Sequence, residues 1–196
     1  MPEGLVDAIW RGWRHPRAAM ARQVAAGLSE PRALFQLMLA CGLFFVASLP
    51  NAIREARGLE IDDPVQGAIA AHLFGWLAVA PLLAYGLAAI VHLVARAFGG
   101  SGGFIAARAA LFWSALLVAP VALGLALLGA GIEATAPAAL PLAALLGYAG
   151  LAFWLWLFAA SLAEAEGFVA TTRVAAVVAA TLAAVAGLVG LLARGA

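Results

Sequence analysis

Apolar residues along the chain gather into five long runs, at 33–49, 67–98, 107–131, 138–162 and 172–193, separated by short polar connections. A spanning helix needs about 20 apolar residues, so the pattern predicts an all-α membrane bundle of five transmembrane helices over 29–196. The first run follows Ser29-Glu30-Pro31, with Ser29 as a candidate cap and Pro31 in the first turn, which tolerates it. The second follows Asp63-Pro64-Val65-Gln66, an Asp cap with Pro at the first helical position and Gln at the third. At about 1.5 Å per residue this second run outreaches a hydrocarbon core of about 30 Å, so it must tilt, bend at Pro81 or project. Pro81 and Pro120 are expected to mark static kinks, since lipid-embedded helices accept proline where neighbours satisfy the freed carbonyl.

Residues 1–28 carry a different pattern. If residues 5–13 are helical, Leu5, Val6, Ile9, Trp10 and Trp13 fall within an arc of about 140° at 100° per residue, with Arg11 and Arg14 off it. This predicts a short amphipathic helix at the membrane surface, anchored by Trp10 and Trp13 at headgroup depth, with Arg11 and Arg14 toward anionic lipid. His15-Pro16 should break it, and a second short helix should follow over 17–27. No apolar stretch directly follows a basic start, so this amino terminus is expected to be retained and not cleaved as a signal peptide.

Composition sharpens the class. Of 196 residues, 66% are hydrophobic and 11% charged, with mean hydropathy +1.04. A soluble domain carries about 25% charge, so a water-facing surface cannot be built from this chain, nor is there room beside the spans for a soluble catalytic domain. The net charge is +1 and every basic residue is Arg. Basic residues favour the cytoplasmic side. With the amino terminus inside, Arg11, Arg14, Arg17, Arg22, Arg32, Arg96, Arg108 and Arg173 fall inside, against Arg54, Arg57 and Arg194 outside. Five crossings then put the carboxyl terminus outside, together with the acidic stretch Glu60-Ile61-Asp62-Asp63. A chain of this form is expected in a bacterial cytoplasmic (inner) membrane.

Candidate chemistry is sparse. The cores of the five runs hold no acid and no Arg, and intramembrane charge is the usual mark of a transport or proton path. His72 and His92 lie about 30 Å apart on one helix and cannot share a metal there; His92 is expected to hydrogen-bond as a neutral group between helices. Cys41 is expected to be inert packing. Gly99-Gly100-Ser101-Gly102-Gly103 lacks the Lys of a phosphate-binding loop and reads as a flexible turn between spans. The remaining polar groups, Arg96, Arg108, Glu164, Glu166 and Arg173, share the inner side under this topology. They are the candidate partner or lipid contacts, with a pair from Arg108 to Glu164 or Glu166 as one expectation. No catalytic, metal or cofactor set can be assembled.

The order of features resembles the Yip domain family, named for Ypt/Rab-interacting proteins, in its compact bacterial form. The resemblance rests on His15-Pro16-Arg17-Ala18-Ala19, the glycine turn leading through Phe104 into Ala109-Ala110-Leu111-Phe112-Trp113-Ser114, Pro120, and Glu164-Ala165-Glu166-Gly167-Phe168 before the last run. It implies five membrane helices with a cytosolic amino terminus; GTPase binding, associated with the eukaryotic members, is not carried over. The expected function is that of a non-catalytic multi-pass protein organising protein partners or lipids through its cytoplasmic face. The alternative is a small transporter or lipid-translocating protein. Membrane lipids, a membrane-protein partner or a second copy are the expected partners, and nucleic acid is not.

Overall fold

The computed structural model describes residues 4–60, 62–136 and 140–195, apart from the side chains at 140, 143, 185, 186, 188, 189 and 192–195. Ile61, Ala138 and the side chain of Arg194 therefore lie outside the described residues. The elements among the described residues are helical: α1 (Leu5–Arg14), α2 (Pro16–Ala25), α3 (Glu30–Ala56), α4 (Pro64–Phe74), α5 (Ala80–Ala97), α6 (Phe104–Thr135), α7 (Leu140–Glu166) and α8 (Thr171–Gly195). A wider π-turn, Gly75–Val79, joins α4 to α5, so these two form one long rod.

Four helices among the described residues are long and apolar enough to cross a membrane: Glu30–Ala56, Pro64–Ala97, Phe104–Thr135 and Ala144–Glu166. The described apolar part of the last helix, Thr171–Ala184, is shorter. The outside of the bundle is greasy, with Leu82 74% and Leu83 67% exposed and Phe74, Leu93 and Leu145 close behind. Monomeric soluble proteins rarely expose such contiguous apolar surface, whereas lipid accepts it.

α6 is the axial helix. Its first half is buried almost all round, from Ala106 to Ala119, with Phe112, Leu116 and Leu117 fully enclosed. The alanines at 106, 107, 109, 110 and 119 let neighbouring backbones approach, and in lipid close van der Waals packing carries helix association. α3, α5 and α7 pack on α6, α8 packs on α7, α2 on α7, and α1 on α6. The rings of Tyr85 on α5 and Phe112 on α6 meet edge to face at 5.0 Å.

Several local expectations change. Ser29 and Asp63 occupy N-cap positions, yet neither side chain makes a capping hydrogen bond. Asp63 sits in the left-handed region at φ 49°, whereas a capping side chain works from an extended backbone. α3 continues past Leu49 and through Pro50 to Ala56. The rod does not simply kink at Pro81: the π-turn directly precedes it, and the Ala80 N–H reaches the Gly75 carbonyl. A proline ring collides with the carbonyl four residues back, here that of Leu77, and the wider turn opens the backbone around that carbonyl. α6 continues as one helix through Pro120.

The tail forms two helices hinged at His15, as its pattern predicts. It is also docked. Gly12 is buried, and a side chain there would run into Leu117. Trp13 Nε1 donates to the Leu117 carbonyl at 2.6 Å.

Candidate functional site

The helix ends nearest the tail, the beginnings of α3, α6 and α8 and the ends of α5 and α7, form what is here called the tail-side end. The polar groups singled out in the sequence do gather there. Their pairing is different from the one expected.

Glu166 is the centre of the arrangement, 1% exposed at the last residue of α7. One carboxylate oxygen accepts the Gly102 N–H at 2.9 Å, and the other lies 3.1 Å from His92 Nδ1 on α5. Its backbone carbonyl accepts from Ser101 N–H at 3.0 Å and from Ser101 Oγ at 3.2 Å. The interhelical hydrogen bond expected of His92 is thus present, and the ring also faces Phe104 at 4.1 Å. The glycine turn expected between the spans is present, and it folds over this carboxylate. Gly99, at φ +87°, begins it, and the Gly100 N–H reaches back to the Ala95 carbonyl while Gly99 reaches Arg96, the Schellman pattern of a helix end. A Cβ at Gly102 would stand 2.6 Å from the Ala165 carbonyl and 2.8 Å from Glu166 Oε2; one at Gly100 would meet the same oxygen at 2.8 Å. Only backbone fits between.

Arg108 does not pair with Glu164 or Glu166. It pairs with Glu30, at the start of α3, at 2.6 Å. Tyr85 Oη donates to the other Glu30 oxygen at 3.4 Å, and the Arg108 guanidinium lies over the Tyr85 ring. Glu164 instead receives Arg17 of α2 at 3.2 Å. The same guanidinium donates to the Val169 carbonyl at 2.9 Å and the Phe168 carbonyl at 3.0 Å. These carbonyls lie just past a second Schellman turn, in which Phe168 N–H bonds the Ala163 carbonyl around Gly167 at φ +78°. Arg17 therefore ties the tail to the connection from α7 to α8. Sequence reasoning missed Arg17 and Glu30; both flank a proline at a helix start, where a charged residue reads as an ordinary end signal.

Arg96 and Arg173 are exposed and make no ion pair among the described residues. Of the proposed surface anchors, Trp10 is 52% exposed with Arg14 stacked over its ring at 4.7 Å. Trp13 has turned inward to Leu117, and Arg11 is half-buried beside it on α1.

Hollows open along the bundle, a small one of about 290 Å³ between α5, α7 and α8 beside Arg173 and two larger ones. One, about 650 Å³, lies between the tail and α3 and is bordered by Arg22, Gln23, Arg32, Phe35, Gln36 and Trp113. The other, about 750 Å³, lies between α3, the π-turn and α5, α6 and α7. Trp76, stacked on Phe44 at 5.2 Å, and Cys41, Leu125 and Trp154 line its apolar body, and Asn51 and Glu133 stand at the far end of the bundle. There Arg54 ion-pairs with Glu133 and donates to Asn51 Oδ1 at 2.5 Å. His72 is engaged by its own helix, with Nδ1 2.9 Å from the Ala68 carbonyl. Among the described residues no three His, Cys, Asp or Glu side chains are grouped to hold a metal. Comparison with family models, with characterised proteins and with solved structures gave no match.

Proposed function

We propose that the chain is a non-catalytic multi-pass membrane protein of the Yip kind that organises protein partners or lipids through its tail-side end. In this reading α8 is a fifth span, the tail-side end is cytoplasmic, the carboxyl terminus is outside and the membrane is a bacterial inner one. At 25 residues, α8 has a length of about 37 Å, enough for a crossing. The observation that carries the reading is how charge is distributed at the tail-side end. Glu30, Glu164 and Glu166 are each engaged within the chain, by Arg108, Arg17 and His92, while Arg22, Arg32, Arg96 and Arg173 remain exposed. Against the exposed Asp7 of α1, these four arginines leave a cationic surface on a braced framework, suited to acidic headgroups or an acidic partner face.

The test is mass spectrometry of the protein extracted with its native membrane patch, wild type against Arg96→Glu with Arg173→Glu. A partner recovered in fixed ratio and reduced about tenfold in the variant, a change of about 1.4 kcal/mol, supports the reading. Associations that survive the double reversal unchanged would sink it.

The larger hollow favours a second reading, movement of lipid or an apolar solute. Its volume is that of a ligand pocket, and it adjoins a π-turn, a feature frequent at functional sites. Proteoliposomes would then show flux above protein-free vesicles, and Gly147→Leu, at a position where an added side chain meets open space, would reduce it. Flux equal to that of empty vesicles removes this reading.

A further inference from the structure

The hollow between the tail and α3 has the chemistry of one ligand class. Its charged border is made of Arg22 and Arg32, its other polar side-chain groups are the amides of Gln23 and Gln36 and the Trp113 N–H, and no carboxylate lines it. The acid on the first turn of α3, Glu30, is taken by Arg108. Gln36 is only 7% exposed, yet its amide has no hydrogen-bond partner among the described residues. What remains accessible of this side chain borders the hollow, and on the same wall the Trp113 Nε1–H is buried with no partner among the described residues; a buried donor left so costs about 1–3 kcal/mol, so the hollow offers hydrogen-bonding groups that the chain itself does not meet. The rest of the wall, with Leu5, Phe35 and the carbon face of Trp113, is apolar.

These groups are also ordered by depth. Gln36 lies four residues along α3 from Arg32, about 6 Å at 1.5 Å per residue. The polar layer on one side of a bilayer is about 5–7 Å thick, the distance over which a phospholipid passes from its phosphate, through ester carbonyls, to hydrocarbon. We infer that this hollow holds one anionic phospholipid: phosphate between Arg22 and Arg32, an ester carbonyl accepting from the Gln36 amide, and the first acyl carbons against Leu5, Phe35 and Trp113. The tail closes over the lipid because Trp13 and Arg17 fasten it at Leu117 and beside Glu164. This site rests on the reading that puts the tail-side end at a membrane surface, and it names the lipid class that reading leaves open.

The test uses the full chain in detergent, offered an equimolar mixture of phosphatidylglycerol and phosphatidylcholine and examined by native mass spectrometry. One phosphatidylglycerol per chain should be retained in preference to phosphatidylcholine. Replacing Arg22→Gln with Arg32→Gln should lower its retention about tenfold or more, since each arginine near anionic lipid contributes about 1 kcal/mol. Gln36→Leu, which keeps the volume and removes the amide, should lower it severalfold while the melting temperature stays the same or rises. Arg96→Gln with Arg173→Gln should leave it unchanged. Equal retention of the two lipids, an equal loss from either arginine pair, or displacement by millimolar inorganic phosphate would each overturn the site. Should the Arg22 and Arg32 variant fail to unfold cooperatively, the wild-type lipid preference and Gln36→Leu decide. Partner recovery in the membrane-patch experiment follows Arg96 and Arg173, so its failure with intact phosphatidylglycerol binding strikes the partner reading and leaves this site standing.

Discussion

At the scale of single residues, Glu166 and the glycines above it define the framework. A carboxylate this enclosed is tolerated because the Gly102 N–H and His92 Nδ1 meet its two oxygens, and removing one member of a buried pair strands the other. Glu166→Ala is therefore expected to cost about 3 kcal/mol or more, with Glu166→Gln less harmful because it keeps one acceptor; thermal unfolding of the purified chain measures both. Gly102→Ala should cost about 1–3 kcal/mol through overpacking, whereas Gly103→Ala, whose added carbon meets open space, should change stability by no more than about 0.5 kcal/mol. Equal effects at the two glycines would mean that the turn is not a packed lid. The glycines were plain in the sequence. Their purpose was not, because the carboxylate they cover lies far along the chain, and proximity of that kind leaves no local spacing to read.

At the scale of elements, periodicity located the helix cores among the described residues, the caps read at Ser29 and Asp63 did not form, and the tail broke at His15 as the pattern required. The tail illustrates what a one-dimensional moment omits. Its apolar arc divides, with Ile9 and Trp13 against the bundle and Val6 and Trp10 exposed, because Gly12 lets α1 approach Leu117 closely. An arc seeking lipid and an arc seeking another helix read alike. Trp13→Phe, which deletes the N–H together with part of the packed indole, should cost about 1–3 kcal/mol and appear as faster hydrogen exchange confined to α1. Gly12→Leu should release α1 altogether, raising proteolysis near His15 while α3 to α7 keep their protection. Undisturbed exchange in α1 for both variants would show that the tail is not held at Leu117. The π-turn before Pro81 was equally hidden: proline announces that the ladder is broken, but whether the backbone kinks or widens depends on what packs around it.

At the scale of the whole molecule, the bias of arginine and the tail-side gathering of helix ends bear on one question, the sidedness of the protein. The proposed topology expects a cysteine placed at Gly58 or Asp62, in the connection between α3 and α4, to react with a membrane-impermeant thiol reagent added outside intact cells. One placed at Gly103 or Val169 should react only after lysis. The opposite labelling pattern would invert the assignment, and with it the choice of leaflet for the lipid site. Buried Cys41 serves as the internal unreactive control.

The sequence by itself determined that the chain is helical, that it carries long apolar helices able to cross a membrane, and which polar groups are available, because each follows from composition and from periodicities measured along a single helix. Tertiary structure alone decided that Arg108 meets Glu30, that Arg17 meets Glu164, and that His92 and the glycine turn converge on Glu166. It also decided that the tail, α3 and α6 leave a hollow where a buried glutamine has no partner. Those outcomes depend on which helices are neighbours and how they are rotated, and in a chain with so many alanines and leucines many neighbours would pack almost equally well. The few polar side chains select among them, and a one-dimensional pattern carries their identities without their distances.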